Sequence, residues 1–319
     1  MSGTTQSDTS AWFPAAARFI RDNITYIIFG LVTLYFVATA PGFATVGTAE
    51  AILRITAIVS IMAVGMTFVI ITAEIDLSVG SMASLAGMIA ALLLEAGFGW
   101  VSSILLTLLF GALVGCFSGV LVTVLRIPSF LVTLGMLSVL SGIALTVTGT
   151  RSVPIVSNDF TQALWGGSAF GLPAPIVWTA VVAIAGFYVL HLTPLGQRVF
   201  ATGGNVVAAR FSGVQTDRIK LLAFTLSGFT AALAGLMLSA RSTAGNPSLG
   251  AGLELDVIAA VIIGGTSLFG GRGSIIGSVV GAIFIGIVGF GLLVMGFSTS
   301  IQEIIKGAII IGAVALARR

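Results

Sequence analysis

Apolar runs separated by short polar breaks dominate this sequence, and they leave little freedom in fold class. The runs cover 24–40, 51–73, 79–94, 101–125, 130–149, 174–192, 221–240, 255–269, 274–295 and 301–317. A helix needs roughly 20 apolar residues to cross a bilayer. Only 8% of the 319 residues are charged and 57% are hydrophobic, against about 25% charged in a soluble domain. The pattern predicts an all-α polytopic membrane protein of about ten transmembrane helices. The runs at 79–94 and 255–269 are short, which leaves open whether they cross fully or re-enter. The tail 1–23 is polar at its start and carries Arg18 and Arg21. The first run is too long for a signal-peptide core and reads as an uncleaved span. Residues 24–317 then form one transmembrane domain, with no stretch left over for a separate soluble one.

Basic residues orient the spans. With ten spans and the tail in the cytoplasm, the cytoplasmic side receives Arg18, Arg21, Arg126, Arg198, Arg210, Arg218, Lys220, Arg272, Arg318 and Arg319, and the outer side Arg54, Arg151 and Arg241. Lys306 falls within the last run and reads as nearer the inner side. Both termini then face the cytoplasm. The long polar stretch on that side, 193–220, holds four of the basic residues. Its centre reads as a short helix. Asn205 is placed to cap it, Val206 to Phe211 continue it without a breaker, and Gly213 can stop it. A chain that only has to turn round needs no ordered helix here, so this one reads as a handle for another protein.

Gly111, Gly115 and Gly119 recur every four residues, as do Gly273, Gly277 and Gly281, and Ser227, Ala231, Gly235 and Ser239. Such ridges let helices approach closely in lipid, although 41 glycines in an apolar chain also generate the spacing by chance. Glu74-Ile75-Asp76-Leu77 and Glu254-Leu255-Asp256-Val257 each open an apolar run. The ten-span topology puts them at opposite sides, as an inverted repeat of spans 2–5 and 7–10 would. A charge at the bilayer centre costs roughly 2.5–3.5 kcal/mol. Two roles are open to these four carboxylates. They cap the helices that follow, with Ser78 and Ser81 near the first pair, or they line a translocation pathway or gate, with Glu254 and Asp256 at its entrance.

Chemistry of the chain's own is not written in it. The glycine-rich stretch 264–273 lacks the Gly-Lys-Ser/Thr ending and the preceding strand of a phosphate loop, and reads as a turn closed by Arg272. His191 is the one histidine, an interfacial residue, and Cys116 the one cysteine. A lone histidine excludes an HExxH zinc site, and no Cys/His pair or Ser/His/Asp set is recognisable in the sequence, so neither metal nor catalytic residues are expected. What remains is a protein that moves or anchors something. The scarcity of mid-span charge argues against an ion-coupled transporter.

Four stretches carry a more specific signal. They are GMTFVIIT at 65–72 running into IDLSVGS at 75–81, IPSFLVTLG at 127–135, TPLGQR at 193–198 through AARFSGV at 208–214, and ELDVIAAV at 254–261 through GGTSLFGGRG at 264–273. This set, in this order, resembles the permease subunits of bacterial ABC importers for monosaccharides of the ribose and xylose type. The resemblance implies a multi-pass protein of the bacterial inner membrane. It passes a sugar from a periplasmic or lipid-anchored binding protein to the cytoplasm by alternating access. It also implies a second permease copy, identical or homologous, and two ATP-binding subunits that hold ATP and Mg. No cofactor in this chain and no nucleic acid are implied. The 205–212 helix would be the coupling helix, with Asn205, Ala208, Ala209, Arg210, Phe211, Ser212 and Gly213 at the ATPase. Phe211 and its small neighbours would make the contact, with Arg210 at the rim. One departure stands out: Ala73-Glu74 occupies the place where such permeases usually have Gly-Gly, and the added carboxylate alters the pathway or caps a helix. Open alternatives are an importer of nucleosides, branched-chain amino acids or a sugar-like signal, an ATP-independent secondary transporter, and a structural anchor.

Overall fold

The computed structural model describes residues 27–317. The tail 1–23 and the charges at Arg18, Arg21, Arg318 and Arg319 lie outside them. Helices follow the apolar runs: α1 (Ile27–Thr39), α2 (Val46–Ile71), α3 (Val79–Glu95), α4 (Trp100–Thr123) and α5 (Ser129–Val147). After a looped segment with a short α6 (Asn158–Thr161) and a wider π turn at Gln162–Gly166 come α7 (Ala174–Leu192), α8 (Pro194–Gly204), α9 (Val206–Phe211), α10 (Thr216–Ser242), α11 (Leu253–Ile263), α12 (Ile275–Val294) and α13 (Thr299–Ala317). Six of them, α2, α4, α5, α7, α10 and α12, are long and apolar enough to cross a membrane. Short strands at Val153–Pro154 and Ala244–Gly245 pair antiparallel and tie the α5–α7 segment to the α10–α11 connection.

Local chemistry sets the boundaries. Thr45 caps α2 by accepting from Thr48 N at 3.1 Å, and Ser274 accepts from Gly277 N to cap α12. The eighth apolar run extends to Phe269, yet α11 stops at Ile263. Gly265 turns the chain there at φ +88°, a conformation that a glycine adopts without steric cost. Eleven residues span about 16 Å, half of a bilayer's hydrocarbon core.

The core is a pair of long helices with a short one against it. From Thr56 to Ile71 nearly every residue of α2 is buried, as are most of α10 beyond Ile219 and α3 from Val79 to Met88. The outer helices turn leucines such as Leu105, Leu109 and Leu113 outward, as lipid rather than water requires. The small-residue ridges are helix contacts, except that Gly273 lies in the loop before α12. On α4, Gly111, Gly115 and Gly119 lie against Gly228, Phe224 and Leu221 of α10. Gly235 lies against Ala83 of α3, and Gly277 and Gly281 against Gly264 and Ala260. A Cβ added at Gly115 would meet the Phe224 carbonyl, which no rotamer change relieves. Gly115→Val is expected to cost about 1–3 kcal/mol by overpacking, read as a lower unfolding temperature in detergent.

These contacts also fix directions. Asp76 reaches Ser227, Ala83 meets Gly235, and Gly87 meets Gly235 and Ser239, so α3 and α10 run the same way. The connection after α10 doubles back: Gly245 touches Gly87 and Ala91, and Gly250 touches Gly80 and Ser84. Helix α11 pairs antiparallel with α12, which in turn runs antiparallel to α2, from Gly273 at Ile71 to Gly286 at Thr56. The short helices α3 and α11 therefore start side by side and run in opposite directions.

Candidate functional site

The short helix exists, and it is built locally. Asn205 Oδ1 accepts from Ala208 N at 3.0 Å and caps α9. Gly213 follows at φ +83°, and Val214 N closes the turn onto the Ala209 carbonyl at 3.0 Å. The sequence reading missed α8, an eleven-residue helix with Pro194 in its first turn. Two signals for it were in the sequence, the Thr193-Pro194 start and an inward face of Leu195, Val199 and Thr202 at helical spacing. Ala209 is the one buried residue of α9 and seats it on the bundle. Val207 and Phe211, four residues apart and so on one face, are 63% and 89% exposed. Ala208, Ser212 and Gly213 are exposed beside them.

Arg210 serves its own loop. Its Nε donates to Thr216 Oγ1 at 2.7 Å and a terminal nitrogen donates to Asp217 Oδ1 at 2.5 Å. The guanidinium thereby ties the end of α9 to the start of α10. Beside this strut a cleft of about 480 Å³ opens between α8 and α10, lined by Arg198, Gln215 and Arg218 among others. His191 packs against Phe187 and Phe200 where α7 meets α8.

The four carboxylates split three ways. Glu74 forms an ion pair with Lys220, both largely buried. Asp76, 2% exposed, accepts from Ser78 N at 3.0 Å, from the Ser78 hydroxyl at 2.6 Å and from the Ser227 hydroxyl at 2.8 Å. Its first two bonds organise the entry to α3, and the third fastens that entry to α10. Ser81 takes no part in capping and pairs with Ser141 at 2.9 Å. Glu254, in the first turn of α11, lies against Gly80 of α3. Asp256 accepts from Lys306 Nζ at 3.0 Å, and Glu303 flanks the same ammonium at 3.3 Å. Lys306 is thus level with the first turn of α11.

The Asp256–Lys306 pair faces a cleft of about 300 Å³ that Thr56, Arg241, Phe290 and Gln302 also line. Above it, Arg54 and Arg241 both approach the Trp165 ring, at 5.9 and 5.4 Å. Arg54 also donates to the Trp165 carbonyl at 3.1 Å. The α5–α7 segment is pinned to the ends of α2 and α10 in this way.

Residues 48–314 match the family model described as branched-chain amino acid transport system / permease component. The chain is 40% identical to the ribose import permease protein RbsC of Escherichia coli K12 over 291 residues, which cover 89% of this chain and 90% of that protein. It is 37% identical to the ribose import permease protein of Haemophilus influenzae, with 93% of each chain covered. To the xylose transport system permease protein XylH of Escherichia coli K12 it is 35% identical, with 89% of this chain and 88% of the relative covered. No solved structure matches it. The match begins in α2 and ends in α13, so it takes in the packed core, the handle and all four carboxylates, and the chain belongs to the family of branched-chain amino acid transport system permease components.

Proposed function

We propose that this chain is the transmembrane permease subunit of an ATP-driven importer that passes a monosaccharide inward by alternating access. The observation that carries the reading is α9. In a chain related over about nine-tenths of its length to permeases of ribose import and xylose transport, a capped helix holds a phenylalanine almost wholly outside the bundle. Asn205 to Gly213 are its coupling residues. Val207 and Phe211 would enter the ATPase, Ala208 and Ser212 allow close approach, and Ala209 and Arg210 hold the helix on its base. Two ATP-binding subunits carrying ATP and Mg, a second permease copy and an external sugar-binding protein complete the assembly in a bacterial inner membrane.

The ten-span topology, with the 193–220 loop and both termini in the cytoplasm, is part of this reading, as is the inverted repeat. The contacts support the repeat: α4 packs on α10 as α12 packs on α2, and α3 touches α10, α4 and α5 as α11 touches α2, α12 and α13. In that scheme the starts of α3 and of the half-crossing α11 meet at depth, reached by the re-entrant stretches 72–78 and 243–252. Glu254 and Asp256 lie at that meeting point and line the pathway. Glu74 and Asp76, held by Lys220 and Ser227, fix the turn on its inner side as part of the gate.

The family description itself favours a second reading, import of a branched-chain amino acid. Uptake of labelled pentoses, hexoses, nucleosides and leucine by cells carrying the permease, its ATPase and its binding protein separates them. A single monosaccharide is expected to accumulate, and an ATPase-dead partner is expected to abolish that uptake. Uptake of leucine alone would replace the sugar, and uptake that survives the dead ATPase would remove the importer.

A further inference from the structure

Close-packed backbone grips the end of α2. The Ile71 carbonyl accepts from Gly271 N at 2.9 Å. A Cβ added at Gly203, next to the α8–α9 junction, would run into the Ile71 carbonyl and come within 2.7 Å of Gly271 N. One added at Gly271 would lie 2.8 Å from the Gly204 Cα, and one at Gly270 would lie 2.8 Å from both the Gly203 carbonyl and the Ala73 Cβ. Gly270 and Gly271 hold φ of +79° and +72°, which lets their turn close on Ile71. Gly273 completes the grip against the Ile71 side chain. Three segments distant in sequence, the end of α2, the root of α9 and the glycine loop, thus meet chiefly through backbone.

Side chains in a contact absorb a small displacement by changing rotamer, whereas close-packed backbone passes it on. Beyond the grip, every residue of α2 up to Thr56 except Val59 is buried. There Thr56 meets Gly286 of α12 and borders the Asp256 cleft. We propose that this grip carries displacement of the α9 handle into α2, which makes Gly203 and Gly271 positioning residues for transport and α2 the rod that reaches the cleft. The inference rests on the coupling role of α9 proposed above. Two rival routes leave the same handle: α8 into α7, where Gly196 lies on the Leu190 backbone, and α9 into α10 through the Arg210 strut.

The test uses the whole transporter in proteoliposomes, with Cys116→Ser to remove the native thiol and Leu53→Cys as a reporter near the far end of α2, where Leu53 is 38% exposed. Labelling by a methanethiosulfonate reagent is compared without nucleotide and with ATP plus vanadate. Gly203→Ala and Gly271→Ala are expected to keep ATPase co-purification and ATP hydrolysis, to lose the nucleotide-dependent change in labelling, and to lower sugar taken up per ATP at least tenfold. Gly204→Ala, where an added Cβ meets nothing within 4 Å, is expected to behave as the parent. Should Gly203→Ala fail to fold, Gly271→Ala decides from the other jaw. Labelling that still responds to nucleotide in an alanine variant, or an unchanged ratio of uptake to hydrolysis, overturns the proposal in favour of α7 or α10. A parent that takes up sugar without hydrolysing ATP overturns the importer reading instead.

Discussion

Phe211→Asp combined with Val207→Asp is expected to detach the ATPase and abolish transport while insertion into the membrane stays normal. Both side chains point away from the bundle, so neither change opens a cavity or strands a partner in this chain. A buried aromatic anchor at an interface contributes about 2 kcal/mol or more, which is at least a thirtyfold loss of affinity, and a carboxylate put in its place must also be desolvated. Affinity purification of the permease, probed for co-purifying ATPase, gives the answer. Retention of the ATPase at the parent level would end the case for α9 as the coupling helix. Arg210→Glu is a poorer probe, because it breaks the link to Thr216 and Asp217 and unseats the helix along with its contact.

Removing one member of the Asp256–Lys306 pair is expected to cost nearly as much by a different route. The two side chains are only 17% and 20% exposed. Lys306→Met leaves a carboxylate in a desolvated cleft without its cation, at a cost of about 3 kcal/mol. Asp256→Asn in the same chain should recover most of that stability, since an uncharged pair has no such requirement, and the double-mutant cycle isolates the coupling. Unfolding temperature in detergent and sugar uptake are read together. If Asp256 belongs to the pathway, the double variant regains stability and not uptake. Recovery of both would reduce the pair to a brace between α11 and α13.

The long helices were legible because each is an apolar run, and α9 because Asn205 and Gly213 mark its two ends. Contacts that join distant residues were not. Nothing local to Glu74 announces Lys220, and nothing local to Asp256 announces Lys306, so their pairing in space had to come from the fold. Hydropathy also misjudged the end of α11, because Leu268 and Phe269 are as apolar as a span demands while Gly265 had already turned the chain. Ala73 shows the converse. It sits at φ +62°, a region that costs a non-glycine residue about 1–2 kcal/mol. The Ala73-Glu74 pair thus loads the turn with backbone strain as well as a charge, and Lys220 answers only the charge.

The mutual embrace of α2 and α10 sets a schedule for biogenesis. Gly65 of α2 lies against Leu226, Ser227 and Thr230 of α10, and about 140 residues separate the end of one helix from the start of the other. At 5–20 residues per second, the ribosome needs roughly ten seconds or more to deliver the partner. Throughout that interval the glycine face of α2 and the carboxylate of Asp76 stand in the membrane without the surface that fits them. Whatever shelters a nascent polytopic chain at the insertion site must hold the first half of this one until the second half emerges.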